Sequence, residues 1–373
     1  MKANPSLWVL GMKIEILVDS SKFWRRLESD LHSAKHDIFI QTLSFEGDKV
    51  GKSLSNLLLS KQSCDRRLLV DSYNKFVLSD NFLYTPRNLL NRAIRHEQRQ
   101  TTLMINNLIR NNVHVKFTNR AGPFMLKFAQ RNHKKLILID DTISYIGGIN
   151  FSEHNFMWHD MMVRIEDHDV ASFLRKDFLS TWTGRNMKRS QQFDGIGCHI
   201  LDGRSNELAF KEIFRLIDGA KRHLYVESPY ITFPFYEKLK QAGKRNVKIT
   251  VIAPKNCNRS FFNKYTRWEA MRSDFDLRLY EGRMTHLKAL LIDDDFLIIG
   301  SSNFDYLSYR LHQEILAILT SDEVISTFFE KVIRRDLNNS IKYDGHVSSL
   351  SGHLRDLVFK LLADLSILAN RIC

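Results

Sequence analysis

The sequence has few of the residues that mark linkers, disulfide frameworks and membrane spans. Its 373 residues include six prolines and 16 glycines, which argues against long linkers and disordered tails. The four cysteines are scattered, with no CxxC spacing, so we expect free thiols in a reducing compartment. No run reaches the roughly 18 uncharged apolar residues of a membrane span. The apolar run at residues 7–10 is too brief for a signal peptide. Secreted and integral-membrane proteins are therefore disfavoured.

Composition and charge indicate a globular protein with anionic partners. Hydrophobic residues make up 43% of the chain and charged residues 26%, a balance that can bury a core. Lys and Arg outnumber Asp and Glu by 55 to 42, which gives a net charge of +13. This excess favours binding to nucleic acid or to an anionic membrane surface.

One motif occurs twice at a constant offset. Residues 131–140 and 284–293 both contain His-x-Lys-x4-Asp, followed by an apolar strand and a glycine-containing turn that ends in Asn. Each member of the second copy lies 153 positions after its counterpart in these pairs: His133 and His286, Lys135 and Lys288, Asp140 and Asp293, Gly147 and Gly300, Asn150 and Asn303. Five such pairs at one offset indicate an internal duplication.

Strand and helix patterns alternate in the same order around both copies of the motif. This alternation predicts an α/β fold with two duplicated α/β/α halves, each a mixed central sheet flanked by helices. We expect the halves to pack about a pseudo-twofold axis and to share one active site. Gly, Ser, Gln and Lys concentrate at residues 184–197, so the halves are placed at residues 1–190 and 191–373.

Two further segments show helical amphipathicity. Residues 73–112 are an extra segment of the first half, in which Arg92, Arg95 and Arg99 share one helix face. That face is either simply solvated or an anion-attracting rim beside a phosphate site. Residues 354–372 carry an apolar stripe, which fits either a terminal helix docked on the core or a helix lying in a membrane interface.

The repeated motif supplies the groups needed for phosphodiester chemistry. In each half the His and Lys are two residues apart on a predicted strand and project from one face. If the two faces meet, the pocket contains His133, Lys135, Asn150, His286, Lys288 and Asn303. One imidazole would attack phosphorus and form a phosphohistidine, while the other would protonate the leaving alkoxide. The cations and amides would hold the phosphate oxygens, so no metal or other cofactor is required.

Four carboxylates accompany these groups. Asp140 and Asp293 follow the apolar strand of each motif, and they either orient the catalytic groups through hydrogen bonds or begin a turn. Asp160 and Glu314 begin later apolar strands, where we expect each to accept a hydrogen bond from a catalytic His and fix its tautomer.

The doubled motif resembles the phospholipase D superfamily, in particular its bacterial cardiolipin synthase branch. The matching stretches are residues 131–150, 158–160, 227–230 and 300–305. The resemblance implies that His133 is the nucleophile and His286 the general acid. One departure is His312, which precedes Glu314 where members of the family usually carry Asn.

Two classes of function fit these observations. The first is a phosphatidyltransferase acting on phospholipid, for example condensing phosphatidylglycerol with a lipid alcohol, in a cytoplasmic protein bound peripherally to an anionic membrane. The second is a metal-independent nuclease of the same superfamily, which the positive charge favours. Aromatic residues do not interleave with the basic ones as a stacking track for single strands requires. A non-catalytic phosphate-binding module is disfavoured because both motifs keep His and Lys. The oligomeric state stays open.

Overall fold

Each half of the chain is built around a mixed β-sheet in the computed structural model, which describes residues 7–9, 11–122, 125, 127–204, 206–345, 354, 357, 361 and 364. The chain divides into two units, residues 1–187 and 188–373. Each unit is described by itself.

The first unit contains ten strands and six α-helices among its described residues. They are β1 (Leu7–Val9), β2 (Met12–Val18), α1 (Ser20–Ser33), β3 (Asp37–Thr42), α2 (Lys49–Ser60), β4 (Asp65–Asp71), β5 (Val77–Leu78), β6 (Asn81–Phe82), α3 (Pro86–Leu89), α4 (Arg92–Arg110), β7 (His114–Thr118), β8 (Leu136–Ile139), β9 (Ile143–Gly147), α5 (Glu153–Phe156), β10 (Met161–Glu166) and α6 (His168–Trp182). Eight of the strands form one sheet in the order β1-β2-β10-β9-β8-β3-β4-β7, while β5 and β6 form a separate hairpin.

The second unit repeats this plan. Its described elements are β11 (Arg189–Phe193), β12 (Ile196–Asp202), α7 (Asn206–Gly219), β13 (His223–Glu227), α8 (Phe235–Gly243), β14 (Lys248–Pro254), α9 (Ser260–Met271), β15 (Asp276–Tyr280), β16 (Ala289–Ile292), β17 (Phe296–Gly300), α10 (Tyr306–Arg310), β18 (Gln313–Leu319), α11 (Asp322–Phe328), α12 (Arg334–Asn338) and β19 (Ser340–Lys342). The sheet order is β11-β12-β18-β17-β16-β13-β14-β15-β19.

Strand directions confirm the predicted duplicated mixed sheets. In the first unit β3, β4 and β7 are parallel, and in the second unit β13, β14 and β15 are parallel, whereas the other pairs in both sheets are antiparallel. Strands β8 and β16, which lie within the two motifs between Lys and Asp, are apolar and buried along their whole length. Burial on both faces explains their continuous apolar runs, because helices cover the sheets.

Amphipathic helices close the cores. Helix α1 buries Phe23, Leu27 and Leu31, which recur every four residues and so form one stripe against the sheet. The connection from β4 to β7 is the long segment expected from the sequence, and it contains the β5–β6 hairpin, α3 and α4. The corresponding connection in the second unit, from β14 to β15, contains α9.

The C-terminal amphipathic helix expected over residues 354–372 lies largely outside the described residues. Leu354, Leu357, Leu361 and Asp364 are described, and they are helical and exposed. The Tyr306 hydroxyl donates a 3.0 Å hydrogen bond to Asp364. Among the described helices, none has both the length and the apolar character needed to cross a bilayer.

Candidate active site

In the first unit the His, Lys and Asn of the motif lie at one edge of the sheet. His133 and Lys135 are in the loop that leads into β8, and Asn150 follows β9. Because β8 and β9 are antiparallel and adjacent, the start of one and the end of the other lie side by side. All three side chains are at least nine-tenths buried. The Lys135 ammonium donates a 2.7 Å hydrogen bond to the His133 carbonyl, and Thr42 donates a 3.4 Å bond to the Asn150 amide oxygen.

Buried ion pairs anchor this loop. Arg131 donates to the Asp71 carboxylate at 2.8 Å, and the backbone N–H of Asn132 donates to the same carboxylate at 2.6 Å. Lys134 points to the opposite side and makes two bonds of 2.7 and 2.8 Å to Asp177 on α6, with both side chains fully buried. A buried charge without a partner is strongly unfavourable, so these pairs fix the backbone on both sides of the histidine.

The second unit places its motif on the equivalent edge. His286 and Lys288 precede β16, and Asn303 follows β17. The Lys288 ammonium lies 2.7 Å from Nδ1 of His286 and 3.2 Å from its Nε2. Since an ammonium only donates, it can bond to whichever of these two ring nitrogens carries no proton. The amide oxygen of Asn303 is buried and has no hydrogen-bond partner among the described residues, so it is available to a ligand.

A fully buried carboxylate supports the second motif. Glu227, at the end of β13, accepts hydrogen bonds from the hydroxyls of Thr285 and Tyr225. Burial, followed by the Glu227 charge, raises the Tyr225 pKa well above its ordinary value, so its hydroxyl stays a donor. The first unit has a neutral version of this contact, in which Gln41 at the end of β3 donates to Asn132 at 2.8 Å. In both units, therefore, the central strand holds the residue just before the motif histidine.

The turns that carry the two asparagines each lie against a carboxylate. A Cβ on Gly148 would come within 2.2 Å of the Asp160 carboxylate, so only glycine allows this approach. The second unit has Ser301 at the equivalent position, and its hydroxyl donates to Glu314. Glu314 also accepts a 3.0 Å bond from Ser308. These contacts place Asp160 and Glu314 beside the turns, and their expected hydrogen bonds to the motif histidines stay a prediction.

Two roles were open for Asp140 and Asp293, orienting the catalytic groups or beginning a turn, and the structure places both residues in turns. They lie at the opposite ends of β8 and β16 from the motif histidines, in turns where both have positive φ of 51° and 52°. Each carboxylate accepts hydrogen bonds from three successive backbone N–H groups, those of residues 35–37 and residues 221–223. Burial raises the pKa of both carboxyls, but the amide bonds outweigh it and the net pKa is lowered. The geometry therefore indicates a structural role for both.

Sequence reasoning missed the anchoring acids Asp71 and Asp177. The sequence contains a signal for Asp177. Strand alternation puts Lys134 on the face opposite the histidine, inside the core, where a cation needs an acid. Asp177 sits on the buried face of α6 with Phe173, Leu174 and Phe178, and a charged residue on an apolar helix face indicates a buried partner.

The fold and the paired His-Lys-Asn sets define a duplicated α/β protein built for phosphodiester chemistry. Residues 27–182 and 213–336 match the family model described as cardiolipin synthase, PLD-like domain. The chain belongs to this family, and the predicted resemblance to the phospholipase D superfamily is confirmed.

Individual relatives agree with the family match. The chain is 22% identical over 362 residues to the major cardiolipin synthase of Bacillus subtilis (strain 168), covering 88% of this chain and 71% of the relative. It is 25% identical over 357 residues to cardiolipin synthase 1 of Staphylococcus epidermidis, covering 88% and 68%. The crystal structure of phosphatidylserine synthase from Haemophilus influenzae Rd KW20 has the same fold, with a TM-score of 0.69 at 16% identity, covering 99% of this chain and 96% of that chain.

Proposed function

We propose that this protein is a phosphatidyltransferase of the phospholipase D superfamily, similar to cardiolipin synthases, which acts on phospholipid phosphodiesters. The observation that carries the proposal is the family match over both halves, each of which contains an intact His-Lys-Asn set. The nuclease alternative is less favoured because the matching family model is described as cardiolipin synthase, PLD-like domain.

The proposed reaction has two displacements at phosphorus. His133 attacks the phosphorus of the donor lipid, and the bond from phosphorus to the headgroup oxygen breaks. His286 donates its proton to that oxygen, so the headgroup leaves as an alcohol and a phosphatidyl group remains on His133. An acceptor alcohol then attacks phosphorus, His286 takes its proton, and His133 is released. If water replaces the alcohol, the product is phosphatidic acid.

The remaining side chains of the two sets bind the phosphate in this proposal. Lys135 and Lys288 neutralise the non-bridging oxygens, and the amides of Asn150 and Asn303 hydrogen-bond to them as charge develops. The unpartnered amide oxygen of Asn303 supports a role in binding a hydroxyl of the substrate. Because lipid substrates reside in bilayers, we also propose that the protein binds peripherally to an anionic membrane, and that it does so from the cytoplasm.

The test uses purified protein and phosphatidylglycerol as both donor and acceptor. We expect glycerol and a lipid with two phosphatidyl groups, detected by mass spectrometry of the extracted lipids. His133→Ala should abolish product, while His168→Ala, at an exposed position on α6, should leave it unchanged. Absence of any lipid product, combined with His133-dependent cleavage of DNA or RNA, would contradict the proposal.

A further inference from the structure

The insertion between β4 and β7 carries an exposed apolar tip. Leu90 is 85% exposed and Leu89 is 44% exposed, and Tyr84 nearby is 48% exposed. Leu89 is the last residue of α3, and Leu90 follows it in the short connection to α4. Single exposed apolar side chains are ordinary on protein surfaces, whereas adjacent ones at the tip of an insertion indicate a binding surface.

The tip is held by helix caps at both ends. The Thr85 hydroxyl accepts a 3.2 Å bond from the Asn88 N–H at the start of α3. The Asn91 side chain accepts bonds from the N–H groups of Ala93 and Ile94 at the start of α4. Capping of this kind fixes where each helix begins, so the intervening leucines are presented by a defined turn.

A basic face continues from the tip along α4. Arg92, Arg95 and Arg99 are exposed and lie at helical spacing, and Arg87 precedes them on α3. Arg95 donates to Gln98 at 2.7 Å. Within the described ranges these four arginines form no ion pairs with carboxylates, so their charges are available to an external anion.

The acids of this segment lie on the inner side. Glu97 accepts a 2.7 Å bond from the Ser79 hydroxyl, and Ser79 also donates to the buried Glu46. Burial, followed by the charge of Glu97, raises the pKa of Glu46 to about 9. Asp80 faces His154 at 4.0 Å. The outer surface of the insertion is consequently cationic and apolar.

We propose that this tip docks on an anionic lipid bilayer, with Leu89 and Leu90 entering the acyl boundary and Arg92, Arg95 and Arg99 binding headgroup phosphates. Adjacent aliphatic and cationic groups match the two layers of a membrane interface. The inference rests on the proposed function, which requires access to phospholipid, and it names the surface that provides that access.

The test is co-sedimentation with vesicles of phosphatidylglycerol and phosphatidylcholine. Each arginine near an anionic surface contributes about fivefold in affinity, equivalent to about 1 kcal/mol. The triple variant Arg92→Gln/Arg95→Gln/Arg99→Gln should therefore bind on the order of 100-fold more weakly at low salt. Its affinity should also change less with salt than that of the wild type. Leu89→Ser/Leu90→Ser should bind at least about tenfold more weakly at both salt concentrations.

Matched controls come from exposed residues of the second unit. Leu208→Ser on α7 removes a half-exposed leucine, and Lys211→Gln/Arg215→Gln/Lys244→Gln removes three exposed cations. Both should bind vesicles like the wild type. If the controls weaken binding as much as the tip variants, the attraction is a general charge effect and the tip is not the docking surface. Binding of duplex DNA through the three arginines, with no binding to vesicles, would also overturn the proposal.

A second readout separates this inference from the proposed function. Turnover of dihexanoyl-phosphatidylglycerol below its micelle-forming concentration needs the active site but no membrane. The tip variants should keep wild-type turnover of this substrate and lose at least about tenfold on vesicles. If the tip variants turn over the soluble lipid and still bind vesicles like the wild type, the docking inference is wrong and the proposed function stands. Tip-dependent vesicle binding without turnover of either substrate would refute the proposed function alone.

Discussion

Replacement of Asp293 distinguishes a structural role from a catalytic one. Its carboxylate accepts N–H bonds from Lys221, Arg222 and His223 at 2.6, 2.8 and 2.8 Å, and its φ is 52°. A hydrogen bond to a charged group is worth about 1.5–3 kcal/mol. Water can reach two of these amides in the variant because Lys221 and Arg222 are exposed, so we use about 1 kcal/mol for each lost bond.

The loss of free energy of unfolding then depends on the residue introduced. Asp293→Ala removes three bonds and puts a Cβ-bearing residue at positive φ, which adds roughly 1 kcal/mol, so we expect a loss of about 4 kcal/mol. Asp293→Gly avoids the backbone strain and should lose about 3 kcal/mol. Asp293→Asn keeps an acceptor and tolerates this φ, so about 1–2 kcal/mol should be lost. Urea unfolding of the three variants measures these differences.

The lowered pKa of Asp293 determines in which direction its contribution to stability changes with pH. The folded-state pKa of Asp293 is lowered relative to the unfolded chain. Its stabilising contribution is therefore complete above the unfolded value of about 3.9 and is lost as pH falls through the folded-state pKa. The stability difference between wild type and Asp293→Asn should be constant near neutral pH and shrink below about pH 4.

The kcat of Asp293→Asn distinguishes a structural role of Asp293 from a catalytic one. At a temperature where Asp293→Asn is folded, we expect kcat per folded molecule to stay within about twofold of the wild type, because the carboxylate lies at the far end of β16 from His286. A folded variant of near-wild-type stability with a loss of about 10²-fold or more in kcat would refute the structural assignment.

Three further changes test the anchoring and binding contacts. Lys134→Leu leaves Asp177 buried without its cation and should lower the free energy of unfolding, measured in urea, by about 3–5 kcal/mol. Adding Asp177→Leu should recover most of that loss. A double variant whose loss equals the sum of the two single losses would contradict the pairing. Gly148→Ala brings a Cβ against Asp160, so it should lower Tm in calorimetry, and adding Asp160→Ala should raise Tm again. Lys288→Ala should reduce kcat about 10²–10³-fold with an unchanged circular dichroism spectrum, and an unfolded variant would show that this lysine is structural.

The fold could be predicted because its signals are local. Alternating strand and helix patterns, repeated around a motif at a fixed offset, are sufficient to predict two mixed sheets flanked by helices. The exposed arginine face of α4 also followed from helical spacing alone. The 3.6-residue period reports which residues share a face, whatever that face contacts.

The parts that could not be predicted depend on partners distant in sequence. The sequence shows that Asp140 and Asp293 recur, but the amides that bind them belong to loops about a hundred and about seventy residues earlier. A carboxylate in a conspicuous motif then resembles a catalytic group. Lys134 and Asp177 are 43 residues apart, and only the packing of α6 on the sheet brings them together.

In the proposed mechanism His133 forms a covalent phosphatidyl intermediate, which rapid quenching can trap. The wild type is mixed with phosphatidylglycerol, quenched in alkali because phosphohistidine is labile in acid, digested and analysed by mass spectrometry. We expect a phosphatidyl adduct on the peptide that contains His133, and no adduct in His133→Ala. An adduct on another residue, or sustained turnover by His133→Ala, would show that His133 is not the nucleophile.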